Sequence, residues 1–147
     1  MSQIKTSDQF ILYTLNDRIH GINISHAVSI ERLIPITKVP NAQLLVEGVI
    51  NLRGEIIPII NLKKSFGLVE TNNTDQNRII IAIINDYQVG LMVDSVLEIA
   101  AIEKDNIQNA AGLIGNECGD LIGGITERNG NIIYFPDYQR VLGLNNI

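Results

Sequence analysis

The feature that most constrains this chain is that it contains one unit twice. Gly48–Leu68 (GVINLRGEIIPIINLKKSFGL) returns as Gly124–Leu144 (GITERNGNIIYFPDYQRVLGL). Laid over each other without a gap, Gly54 falls on Gly130, Ile56-Ile57 on Ile132-Ile133, Asn61 on Asp137 and Gly67-Leu68 on Gly143-Leu144. Earlier segments match too: Asn16-Asp17 falls on Asn85-Asp86, Gly21 on Gly90, Ile24 on Val93 and Ile30 on Ile99. The register is 69 residues in the early segments and 76 in the later block, so the second copy is longer by the difference, about seven residues. The irregular stretch 103–117 is the place expected to hold them.

Each copy reads as about five short strands. Phe10–Leu15 and Ile19–Ile24 flank Asn16-Asp17, and Val89–Val93 follows Arg78–Ile84 across Asn85-Asp86; such residue pairs make tight turns. Asn129-Gly130 between two apolar runs is a type I′ hairpin signal. Val28–Ile36 reads as a strand closed by Pro35 and Pro40, and Asn41 as the cap of a helical turn over 42–46. Leu62–Phe66 reads as one amphipathic turn ended by Gly67, and Tyr138–Leu142 as its duplicate. Ile79–Ile84 is apolar throughout, the pattern of a strand buried on both faces. Strands of this length and spacing point to an all-β fold of small barrels or a sandwich, and with about five strands per half two small five-stranded barrels are expected. A half of about 70 residues is marginal alone, so the barrels are expected to pack into one unit with a third apolar seam between them.

Composition limits the function. The chain has 147 residues, a formal net charge of −5 and no tryptophan; Lys63-Lys64 is its only adjacent basic pair. A nucleic-acid binder carries a basic stripe or an aromatic stacking platform, and neither is visible. A lone cysteine, Cys118, cannot form an internal disulfide, which points to a reducing cytosol. The longest apolar run, Ile79–Ile84, is far short of the ~20 residues that span a bilayer. No signal peptide is read at the N-terminus, where Lys5 and Asp8 interrupt the apolar residues.

No catalytic set emerges. His20 and His26 stand apart, with no partners for a zinc site or a triad, and His20 on a hairpin strand reads as a surface residue. Glu31 with Glu47, and Asp86 with Asp94, are carboxylate pairs by count only. Gly112-Leu113-Ile114-Gly115 lacks the lysine and the strand-to-helix setting of a phosphate cradle. Neither cofactor nor metal is expected. Arg53, at a turn between Leu52 and Gly54, has two readings. It is either a solvated turn arginine or a planar fork for a partner's carboxylate or backbone. Its duplicate is Asn129, so the fold does not require arginine there.

GVINLRGEIIPIINLKKSFGL, together with VGLMVDSV at Val89–Val96, resembles the signatures of the CheW family of chemotaxis coupling proteins, from about Phe10 to Leu144. The resemblance implies a single domain, 1–147, of two SH3-like or OB-like barrels that exchange a strand. One subdomain is expected at about 17–85, the other at 8–16 plus 86–147. It implies a non-enzymatic, cytoplasmic adaptor that joins chemoreceptor tips to the regulatory domain of the histidine kinase CheA, with further copies of the coupler as possible neighbours in array rings. By resemblance, Arg53, Ile79, Gly90, Val96 and Ile99 belong to the receptor-binding groove. Ala27, Ser29, Ile30 and Gly48 belong to the kinase-binding surface. The chain departs from the family pattern at Ser29 (usually Glu), Ala27 (Val), Asn61 (Asp) and Lys63 (Arg). Two other readings stay open: a coupler of a pilus-motility or other chemosensory pathway, and a double-barrel module for a small ligand or single-stranded nucleic acid.

Overall fold

A computed structural model describes residues 7–40, 45–110 and 121–143. The loop with Gly112 and Gly115, Cys118, and the start of the turn expected after Asn41 lie outside the described residues; Val46, its expected end, opens a strand.

The first copy supplies β1 (Ser7–Leu15), β2 (Arg18–Asn23), β3 (Ala27–Arg32), β4 (Val46–Leu52), β5 (Glu55–Asn61) and helix α1 (Leu62–Ser65). The second supplies β6 (Arg78–Ile84), β7 (Tyr87–Val93), β8 (Ser95–Glu103), the two-residue β9 (Gln108–Asn109), β10 (Ile122–Arg128), β11 (Asn131–Pro136) and α2 (Tyr138–Val141). Four tight hairpins recur at equivalent places. Their tips all have positive φ: Asn16 and Asp17, Arg53 and Gly54, Asn85 and Asp86, Asn129 and Gly130. Two consecutive left-handed residues define the type I′ turn, whose twist matches the flanking strands. Each block then ends in a capped helical turn. The Asn61 side chain accepts from Lys64 N (3.2 Å) and Asp137 from Arg140 N (3.3 Å), so the Asn/Asp equivalence is that of an N-cap.

The strands form two sheets, ordered β8-β1-β2-β11-β10-β9 and β3-β6-β7-β5-β4. Position for position, one order is the duplicate of the other. Each hairpin that opens a copy has crossed into the other copy's sheet. β1–β2 pairs with β8 and β11, and β6–β7 with β3 and β5. The sheets are consistent with two SH3-like barrels. The sixth strand, β9, corresponds in the second sheet to a single bridge, Thr37↔Val49. The subdomain limits read from the sequence cut through both hairpins. Hydrogen bonding keeps β2 with β1 and β7 with β6, so the sheets part at 24–26 and at Asp94. β3 also ends earlier than expected, at Arg32; Leu33–Ile36 leaves the sheet ahead of Pro35, which has no N–H to give.

Three apolar cores result. Phe10, Leu12, Ala100, Ile102, Ile133 and Phe135 fill the first sheet's own core. Ile50, Ile57, Ile59, Ile79 and Ile81 fill the second's. The largest lies between the sheets and takes Ile11, Leu15 and Ile22 from one, and Ile80, Leu91 and Val93 from the other. β6 is therefore buried on both faces, as its sequence predicts, apart from Ile83.

His20 is not a surface residue. It is 3% exposed in the seam, with its ring 5.6 Å from those of Tyr13, Phe66 and Tyr134. A hairpin strand alone would leave this position in solvent, but the second unit covers it, with Phe66 packed against the ring. Burial pushes the imidazole down to about 4. Beside it, the Tyr13 and Tyr138 hydroxyls share a 2.7 Å hydrogen bond, and Tyr138 donates onward to the Gly21 carbonyl at 3.0 Å. Burial raises both phenols. No helix among the described residues is long and apolar enough to cross a membrane.

Candidate functional site

Arg53 stands at the β4–β5 tip with φ 50 and its side chain 71% exposed. A left-handed conformation is disfavoured for an arginine and tolerated by asparagine, the residue at the duplicate position. The turn is braced locally by Gly54 N donating to Asn51 Oδ1 at 3.1 Å. Arg53 Nη2 reaches Glu31 Oε2 at 3.2 Å, a single contact between an exposed guanidinium and a half-buried carboxylate. Glu31 lies on β3, directly opposite Ile79 of β6. The tip arginine is thereby leaned against the edge strand of its own sheet.

The other residues expected at the receptor groove separate into two kinds. Ile79 and Gly90 are interior. Ile79 is fully buried, and a Cβ on Gly90 would sit 2.5 Å from Ile59 Cδ1 and 2.9 Å from Ile79 Cγ2. They shape the second sheet from within. Val96 and Ile99 lie on β8, the free edge of the first sheet, opposite Tyr13 and Ile11. Val96 is half-buried and Ile99 is 52% exposed. The set thus spreads over both sheets, with Arg53 and Ile99 as its surface members.

The residues expected to face the kinase all belong to the second sheet. β3 is one of its edge strands, and it alternates: Ala27, Ser29 and Glu31 are half-buried, while Val28, Ile30 and Arg32 are exposed. The Ser29 Oγ is buried without a hydrogen-bond partner among the described residues. Gly48 lies on β4, the strand at the opposite edge of the same sheet. A Cβ there would meet the Thr37 carbonyl oxygen at 2.4 Å, so glycine is what lets β4 run against the Thr37 backbone.

A polar cavity of about 260 Å³ opens beside α1. Its charged groups are already matched: Lys63 Nζ donates to Asp94 Oδ1 and Thr71 Oγ1, both at 2.7 Å, and Asn61 donates to Glu70 at 2.7 Å. Asp94 Oδ2 also accepts from Asn16 N at 2.8 Å. Lys63, where the family pattern has arginine, therefore ties the first copy's helix to the single residue between β7 and β8. None of the carboxylates counted as pairs in the sequence meet. Glu31 goes to Arg53, Glu47 to Lys64 and Asp94 to Lys63. Among the described residues, no group of three or more His, Cys, Asp or Glu side chains could hold a metal ion.

The family model described as "CheW-like domain" matches residues 9–145. The chain belongs to the CheW-like domain family. It is 30% identical over 141 residues to "Chemotaxis protein CheW" of Bacillus subtilis (strain 168), covering 96% of this chain and 90% of that one. It is 34% identical over 107 residues to the protein of the same name from Thermotoga maritima, covering 73% and 69%. The crystal structure of the scaffolding protein TtCheW from Thermoanaerobacter tengcongensis superposes with a TM-score of 0.86 at 28% identity, covering 96% of each chain. Membership of this family makes the chain a chemotaxis scaffold and not an enzyme.

Arg32 was not singled out in the sequence; with Val28 and Ile30 it makes up the exposed row of β3. Their alternation with Ser29 and Glu31 is visible in the sequence, but only the β3–β6 register shows which row faces out.

Proposed function

We propose that this protein is a cytoplasmic adaptor that couples chemoreceptor tips to the histidine kinase CheA and is recruited with them to membrane-bound arrays. The observation that carries this is Arg53, held on a rigid turn in a backbone conformation unfavourable to it, in a CheW-like chain whose duplicate turn uses asparagine. In this reading a receptor's helical hairpin lies across the two sheets. Arg53, Val96 and Ile99 touch it, and Ile79 with Gly90 sets the shape beneath. The kinase's regulatory domain docks on the β3 edge at Ala27, Val28, Ser29 and Ile30, with Gly48 holding β4 at the opposite edge of the sheet. Exposed Val28 (57%) and Ile99 (52%) supply apolar contact at the two free edges. Each contact is weak alone, and the array supplies affinity through simultaneous engagement.

The test is retention of a receptor signalling fragment and of CheA by the immobilised protein, together with receptor-dependent kinase activity. Both partners are expected to be retained, and Arg53→Glu is expected to lose receptor binding and kinase activation. Retention of neither partner by the wild-type chain contradicts the adaptor reading.

A further inference from the structure

At the end of the β3–β6 pair, Arg32 stands directly opposite Arg78. Like charges facing each other across a strand pair are destabilising. The Arg78 guanidinium is held back by two backbone carbonyls, those of Asp75 and Asn77, each accepting from Nη1 at 2.8 Å. Arg32 is exposed and makes no ion pair or side-chain hydrogen bond among the described residues. The nearest carboxylate in sequence, Glu31, projects to the other face of β3 and is engaged by Arg53.

The duplicate shows that the scaffold does not need this pair. The equivalent positions are Ala101 and Gln9, which occupy the same register in the first sheet with no charge between them. Two cations are thus set side by side at a sheet edge, in a chain of net charge −5, where the matching pair of its own second copy is neutral. Arg32 also continues the exposed row of Val28 and Ile30 along β3, an edge strand whose only strand partner among the described residues is β6. Two apolar positions followed by a guanidinium fit a protein surface that presents apolar side chains followed by an acidic one. The planar fork suits bidentate contact with a carboxylate.

We propose that Arg32, backed by Arg78, is a docking site for a carboxylate side chain of the kinase's regulatory domain; this rests on the reading of β3 as the kinase-facing edge. The full-length chain and its Arg32→Ala and Arg32→Glu variants are titrated by calorimetry with the regulatory domain at low and high salt, and with a receptor signalling fragment in parallel. Arg32→Glu is expected to weaken kinase binding about tenfold or more. Arg32→Ala is expected to weaken it less and to flatten its salt dependence. Receptor affinity should stay unchanged, and melting temperature unchanged or higher, because the facing like charges are gone. Undiminished kinase binding by Arg32→Glu overturns the site. So does an equal loss for receptor and kinase, or a loss that tracks a fall in melting temperature. A wild-type chain that does not bind the regulatory domain at all removes the kinase reading of β3, and the carboxylate site with it.

Discussion

Arg53 and Asn129 occupy the same place in two copies of one hairpin, and the backbone treats them alike, with φ 50 and 53. Asparagine adopts that conformation readily; arginine does so at a cost. The same contrast recurs elsewhere. Ile57, Ile59, Ile79 and Ile81 in the second sheet's core stand where Ile133, Phe135, Phe10 and Leu12 stand in the first. Gly90 and Gly21 lie beneath these equivalent side chains, Ile59 and Phe135. There the copies differ in residue and agree in role, as packing requires. At Arg53 against Asn129, and at Arg32 against Ala101, one copy carries a charge at an exposed position where the other has none. A duplicated chain carries its own control. What both copies keep is scaffold, and what one copy adds against local preference is a candidate for function.

Gly48 and Gly124 are duplicates that fail differently. A Cβ at Gly48 meets the Thr37 backbone oxygen at 2.4 Å, whereas at Gly124 it meets the end of a side chain, Ile107 Cγ2, at 2.6 Å. Gly48→Ala is expected to cost about 3 kcal/mol or more and Gly124→Ala about 1 kcal/mol, read from denaturant midpoints. Equal costs would break the distinction. Any loss of kinase binding in Gly48→Ala then has to be separated from this loss of stability.

His20 is an asymmetric member of the seam, since its duplicate is Val89. An unfolded histidine titrates near 6.5, and burial lowers this one to about 4. The unfolded chain therefore binds the proton first as pH falls. The wild type carries no penalty from this group above about pH 6.5, loses stability between about 6.5 and 4, and loses no more below that. The wild type is expected to lose about 3 kcal/mol more than His20→Val between pH 7 and pH 4. Parallel pH profiles for the two proteins would place the imidazole in solvent.

Exchange of the tip residues has the smallest effect on stability and the sharpest meaning. Arg53→Asn is expected to stabilise by up to about 1 kcal/mol and Asn129→Arg to destabilise by a similar amount, checked by thermal melts. Opposite signs support the comparison; two losses would mean that Arg53 is held by more than its turn.

Much of this architecture was legible in the chain. The repeat gave the strand count, the turn pairs marked the hairpins, and the all-apolar Ile79–Ile84 announced a strand covered on both sides. Which strands share a sheet was not legible at the right boundaries. Each opening hairpin carries a pattern that fits either copy, so only hydrogen bonding places β2 with β11 and β7 with β5. His20 escaped for the same reason: its burial comes from the other sheet, not from its own strand. Of the site residues, Arg53 was legible as the odd member of a repeated turn. The burial of Ile79 and the facing of Arg32 and Arg78 needed the register, which no local pattern encodes.

The central claim is that Arg53 serves a partner and not the fold. Replacing it with the residue its own duplicate uses, Arg53→Asn, and measuring receptor affinity alongside the melting temperature tests this most directly. The account predicts a melting temperature unchanged or raised, with receptor binding weakened about tenfold or more. Full receptor affinity in a stable Arg53→Asn protein would contradict it.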